Sequence, residues 1–109
     1  MRERTQYFAT PVTGVACDKR RDDVLIHLRG EFDADTAHLV SDAIRAWRVD
    51  RTVIDLSGVS FADSSLLHTL LDARTGHHLV LAGPLPHQLD RLFTITGTRP
   101  LFTFTPAVR

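Results

Sequence analysis

The chain is short of cysteine, of net charge and of long apolar runs, and each shortage excludes something. Its one cysteine, Cys17, cannot close an internal disulfide, and a lone buried thiol usually acts as a small apolar residue. Basic and acidic residues number 13 each. A balanced chain lacks the electrostatic footprint that nucleic-acid binding needs, so no nucleic-acid partner is expected. The basic run Lys19-Arg20-Arg21 is followed at once by Asp22-Asp23, which cancels much of its field. No stretch approaches the roughly 20 apolar residues that span a bilayer. Met1–Phe8 is polar and has no apolar run of the signal-peptide kind. The expectation is a cytoplasmic protein without membrane insertion. Phosphate-binding glycine loops and dinucleotide fingerprints are also missing, the six glycines being isolated turn residues. No cofactor is expected.

What is present suits a globular domain. With 43% apolar and 24% charged residues over 109 positions, the chain can bury a working core as one domain, 1–109. Residues 1–10 read as a loose N-terminal arm. Gly14–Asp18 and Val24–Leu28 are strand candidates that pair as a hairpin across the charged turn Lys19–Asp23, and Gly30–Asp33 ends the second. A helix follows, capped by Asp33 or Asp35, with Ala37, Val40, Ala43, Ile44 and Trp47 at the spacing of one face.

Thr52–Leu56 is a short apolar strand, and Ser57–Ala62 reads as a loop. A second helix starts near Asp63 or Ser64, carries Leu67, Leu70 and Leu71, and stops at Gly76. The strand His78–Ala82, a helix from Pro86 to Thr96 ended by Gly97, and an edge strand Leu101–Thr105 complete the chain. Strands alternating with helices predict an α/β domain: a mixed, mostly parallel sheet that starts with an antiparallel hairpin, with helices packed on it.

Six histidines raise the question of a metal. His27, His38, His68 and His87 are far apart, and His77 and His78 point apart in an extended strand. None has the spacing of a zinc site, so no metal is expected. A catalytic triad of Ser64 or Ser65 with His68 and an aspartate is the enzymatic alternative, but no glycines flank the serines as a nucleophile elbow requires.

The segment that stands out is Asp55-Leu-Ser-Gly-Val-Ser-Phe-Ala-Asp63-Ser64-Ser65-Leu66-Leu67, a strand leading to an Asp-Ser-Ser triplet that opens a helix. A helix cap accounts for Asp63 or Ser64. It leaves a second hydroxyl, at a helix start where free N–H groups and the helix dipole favour an anion. A phosphate there adds about two negative charges beside Asp63 and would repel an acidic or apolar partner docked on the helix end.

The stretch Arg29-Gly-Glu-Phe-Asp33-Ala-Asp-Thr-Ala and the stretch Asp55 to Ser65 resemble the two signature segments of STAS domains. His78-Leu-Val-Leu-Ala-Gly and Phe93-Thr-Ile-Thr-Gly follow in the family's order, so the resemblance spans roughly Val12 to Thr105. It implies an anti-sigma factor antagonist acting by partner switching. Ser65 corresponds to the serine phosphorylated by an anti-sigma factor with serine kinase activity. Asp33, Asp63, Ser64, Ser65 and Leu66 would form the partner-binding surface. Phosphate on Ser65 would break the complex, and a phosphatase acting on phospho-Ser65 would restore it. ATP would belong to the kinase, so this chain is expected to be no enzyme.

The family usually has glycine where this chain has Leu66, its segment Asp63–Gly83 is longer, and a last helix follows where this chain stops at Arg109. An apolar patch left uncovered there would favour partner binding or a homodimer. Leu66 favours the alternative job known among stand-alone STAS domains, a constitutive subunit bracing the ATPase of an ABC-type lipid transporter. A small serine hydrolase is the third alternative.

Overall fold

A computed structural model describes residues 3–8 and 13–106. Ten elements follow one another: β1 (Glu3–Phe8), β2 (Gly14–Lys19), β3 (Asp23–Phe32), α1 (His38–Arg45), β4 (Arg51–Ala62), α2 (Ser64–Ala73), β5 (Leu79–Ala82), α3 (His87–Thr96), a 3₁₀ turn (Arg99–Leu101) and β6 (Thr103–Thr105). The six strands lie in one sheet in chain order, β1-β2-β3-β4-β5-β6. The first two pairings are antiparallel and the remaining three parallel, the mixed sheet expected from the sequence. Parallel crossovers of one hand in a sheet of this order place all three helices on the same face. Alternate strand residues accordingly share one core with the helices: Val15, Cys17, Val24, Ile26, Leu28, Ile54, Leu56, Leu79 and Leu81 meet Val40, Ile44, Leu66, Leu70, Leu89 and Phe93.

The N-terminal residues depart from the sequence expectation. Residues 3–8, which the sequence suggests are part of a loose arm, form β1 and pair with β2 from Glu3↔Lys19 to Phe8↔Gly14. The edge of β2 offers a row of backbone donors and acceptors, and a segment with Thr5, Tyr7 and Phe8 suits such a pairing. The remainder of the arm lies outside the described residues.

The two strands that carry the site are longer than their apolar runs. β3 continues through Gly30 to Phe32, and β4 takes in the whole of Ser57–Ala62, which the sequence assigns to a loop. Each strand satisfies the other's backbone groups, which outweighs the weak strand propensity of Ser57, Gly58 and Ser60. Their ladder slips twice, between His27 and Arg29 and between Gly30 and Glu31, so β4 carries two bulges within a few residues. Gly58 sits at the first. A Cβ there would lie 2.6 Å from the Leu28 carbonyl oxygen. Gly30 takes φ 97°, which favours glycine.

α1 starts later than expected. Its N-cap is Ala37, without a side-chain cap bond, and neither Asp33 nor Asp35 caps it. The preceding turn uses up Asp33, as described below. Leu39, Val40, Ala43 and Ile44 are its buried stripe, and Trp47 packs half-buried just beyond its end. α2 is a regular ten-residue helix capped by Asp63. α3 ends at Gly97 in the left-handed region, φ 69°. At the β6 edge the Phe93 ring meets Phe102 and Phe104 edge-on at 5.3 and 5.4 Å, and Arg99 lies over Phe93 and Phe104. No helix among the described residues is long and apolar enough to cross a membrane.

Candidate functional site

The site is the paired carboxyl ends of β3 and β4. Phe32 is in register with Ala62, so Asp33 and Asp63, next in each chain, leave the sheet side by side. The Asp63 amide donates to the Phe32 carbonyl at 3.2 Å and ties the two exits together. Ligand surfaces in open α/β sheets commonly form beyond these strand ends.

Asp33 organises the first exit. Its Oδ1 accepts from the amides of Asp35 and Thr36 at 2.9 and 3.2 Å and from the Thr36 hydroxyl at 3.2 Å. Its own amide donates to Thr36 Oγ1 at 3.0 Å, and the one hydroxyl hydrogen of Thr36 is shared between Asp33 Oδ1 and the nearer Glu31 carbonyl at 2.9 Å. The turn is thus closed by side chains before the helix begins, which is why Asp33 is unavailable as the cap of α1. Thr36 is a positioning residue that sequence reasoning alone misses. Its spacing of three from Asp33 was the signal.

Asp63 organises the second exit. With extended backbone (φ −113°, ψ −168°) it is the N-cap of α2, and its Oδ1 accepts from the Ser65 amide at 2.8 Å. The Leu66 amide closes back on the Asp63 carbonyl at 3.2 Å. Ser64 is exposed and Ser65 half-buried. The Ser65 carbonyl accepts from Thr69 Oγ1 at 3.0 Å, whereas neither serine hydroxyl bonds within the described protein. The two serines therefore offer free hydroxyls on a fixed backbone, at the electropositive end of a ten-residue helix. Asp33, Asp63, Ser64 and Ser65 come together at this end. Leu66 does not join them on the surface: it is 0% exposed and packs in the core. Helix geometry turns it inward, one position past Ser65 on the buried stripe Leu66, Leu67, Leu70.

His68 is exposed and makes no hydrogen bond or ion pair with either serine or an aspartate. The hydroxyl–imidazole contact that a hydrolase needs is not made in this structure. Carboxylates dominate the neighbourhood, with Glu31 and Asp35 exposed and Asp33 and Asp63 half-buried. A hollow of about 380 Å³ between α1 and α2 is lined by Ser41, Ile44, Arg45, Thr69 and Asp72 among others, one to two turns further along α2 from Ser65.

A second polar cluster lies on the sheet face without helices. His27 Nδ1 is 2.7 Å from Asp55 Oδ2, and His27 Nε2 is 3.4 Å from Asp18 Oδ2, a bridge across β2, β3 and β4. Asp55 Oδ1 accepts from the Ser57 hydroxyl at 2.7 Å and from its amide at 3.0 Å. Burial works against the charge on Asp55, but the bonds from Ser57 and His27 together outweigh it and hold the carboxyl below its ordinary range. On the other face, burial pushes the Cys17 thiol up, and the side chain is packed in the core.

The family described as "Mlab, STAS domain" matches residues 15–101. The anti-sigma-B factor antagonist of Listeria monocytogenes is 36% identical over 73% of this chain and 76% of its own length. Among solved structures, an anti-sigma factor antagonist from Mycobacterium paratuberculosis superposes with TM-score 0.79 at 23% identity, covering 93% of this chain and 92% of that one. The Bacillus cell fate determinant SpoIIAA, in its phosphorylated form, gives TM-score 0.58 at 20% identity, over 94% and 91% of the two chains. At these identities the two structures speak for the fold alone.

Proposed function

Since this chain belongs to the STAS domain family, we propose that it is an anti-sigma factor antagonist working by partner switching, with Ser65 as the switch. The observation that carries this reading is the free Ser65 hydroxyl at the second position of α2, beside a carboxylate that already holds the Ser65 amide. A phosphate brings about −1.5 to −2 charges and three acceptor oxygens. At Ser65 it competes with Asp63 for the helix-start amides and repels both Asp63 and Asp33. The sheet and core lie behind this end, so the surface changes while the fold stays.

The unphosphorylated protein binds an anti-sigma factor with serine kinase activity, and a sigma factor is freed. Phosphate on Ser65 releases the kinase, and a phosphatase resets the cycle. ATP belongs to the kinase, so this chain is a substrate and not an enzyme, and it acts in the cytoplasm. The Listeria relative is named an anti-sigma-B factor antagonist, which supports the antagonist role. Peptide mapping of the protein from its native cells, with and without phosphatase, tests the reading. Phosphate on Ser65 that phosphatase removes supports it. A chain unmodified across growth and stress conditions sinks it.

A second reading is favoured by Leu66, which fills the core where the family usually has glycine. In it the domain is a constitutive subunit bracing an ABC-type lipid transporter ATPase. Copurification with an ATP-binding cassette subunit, with no phosphate on Ser65, decides for it.

A further inference from the structure

Phe61 stands at the wrong place for a core aromatic. It is 39% exposed, while the fully buried Leu66 lies a few residues away on α2. The ladder explains the orientation. After the second slip Phe61 is in register with Glu31, and Phe32 with Ala62. Phe32 and Ala62 point into the helix-side core, so Glu31 and Phe61 point to the opposite, helix-free face. Phe61 thus sits at the rim of the Asp33–Asp63 end, beside exposed Ser60 and Glu31. A large ring at this position costs hydration in the free protein without adding to the core. Bulges near functional sites re-aim side chains in this way.

We infer that Phe61 is an anchor for the protein partner that docks at the Ser65 end, and that the partner offers it an apolar pocket with a basic group facing Glu31. The inference rests on the partner-switching reading and extends its surface around the sheet edge. Exposed aromatics next to a polar rim are the usual anchors of protein interfaces, and the nearby Glu31, Asp33, Asp35 and Asp63 outnumber the exposed Arg29 on the same strand, so a basic docking face is the complementary one. The surface has two parts: a hydroxyl end that phosphate can close, and an aromatic grip that phosphate leaves in place.

The test uses the full chain with a photo-crosslinking phenylalanine analogue at position 61, 64 or 95, expressed in the native cells. Ile95 is the control, 69% exposed on α3. The expected result is one partner polypeptide, identified by mass spectrometry as the same kinase-fold protein, joined from positions 61 and 64 and not from 95. Crosslinking from 64 alone overturns the anchor and leaves the switch reading standing. Equal crosslinking from 95 also overturns the anchor. Crosslinking of no kinase-fold protein from either 61 or 64 overturns both. With that partner purified, Phe61→Ala should weaken binding by at least about tenfold, and Phe61→Leu by less, while both variants melt with the parent. Unchanged affinity for Phe61→Ala overturns the inference.

Discussion

The bulged stretch of β4 makes a sharp prediction at Gly58. In Gly58→Ala the new methyl carbon would lie 2.6 Å from the Leu28 carbonyl oxygen, where ordinary contact begins at 3.4 Å, a shortfall of 0.8 Å. The obstructing atom is backbone, so no side chain can swing away. β3 and β4 must separate, in the middle of the ladder that sets Asp63. Overpacking of this kind costs about 1–3 kcal/mol, which for a domain of this size lowers the melting temperature by roughly 4–8 °C per kcal/mol. Gly76→Ala is the matched control. Nothing lies within 4 Å of its added methyl, and the change should be neutral or stabilise by about 0.4–1 kcal/mol through the unfolded chain. Urea unfolding of both variants, with amide exchange measured at Asp63–Leu66, reads the stability and its location together. Gly58→Ala within about 0.5 kcal/mol of the parent, or no faster exchange at the α2 start, would refute the reasoning.

Other expectations follow from the same contacts. Asp63→Ala removes the cap of α2 and should cost about 1 kcal/mol in urea unfolding, with Asp63→Asn nearly neutral; equal losses would show that the cap bond is not the source. Leu66→Gly restores the usual family residue but empties a fully buried site, so it should destabilise by about 3 kcal/mol or more in a thermal melt; a neutral result would mean that the core closes over the gap. Asp55 has a lowered pKa in the folded state. Its stabilisation is therefore complete above the unfolded value of about 4 and is lost as pH falls through the folded value. Asp55→Asn should flatten that acid limb of the urea midpoint, and an unaltered limb would assign it elsewhere. Ser65→Asp should weaken partner binding and Ser65→Ala should bind constitutively in a pull-down with the kinase. Parent-like binding by both removes the electrostatic basis of the switch.

How much of this was legible in the sequence depended on whether the cause was local. The cap at Asp63, the helix stop at Gly97 and the buried stripe Val40, Ala43, Ile44 depend on neighbours in the chain, and all are as read. Ser57–Ala62 looks like a loop because Ser, Gly and Ser are turn formers. It is a strand because β3, some 30 residues earlier, supplies its partners. β1 is a strand for the same non-local reason. Asp33 does not cap α1 as the sequence suggests, because Thr36 claims it first. Leu66 and Phe61 are the instructive pair. Sequence adjacency to Ser65 put the leucine on the surface, and only the strand register and helix phase show that it is buried and the phenylalanine is not.

The order of the strands in the sheet also has a consequence for how the chain assembles. Every strand's neighbours are its neighbours in sequence, so no gap has to be kept open for a later arrival. The hairpins can form first, β4 can zip onto β3, and each later strand adds at the growing edge. Closure distances stay short for a parallel sheet, and short closures favour fast folding. The Asp33–Asp63 junction can therefore form without waiting for β5 and β6 to join the sheet.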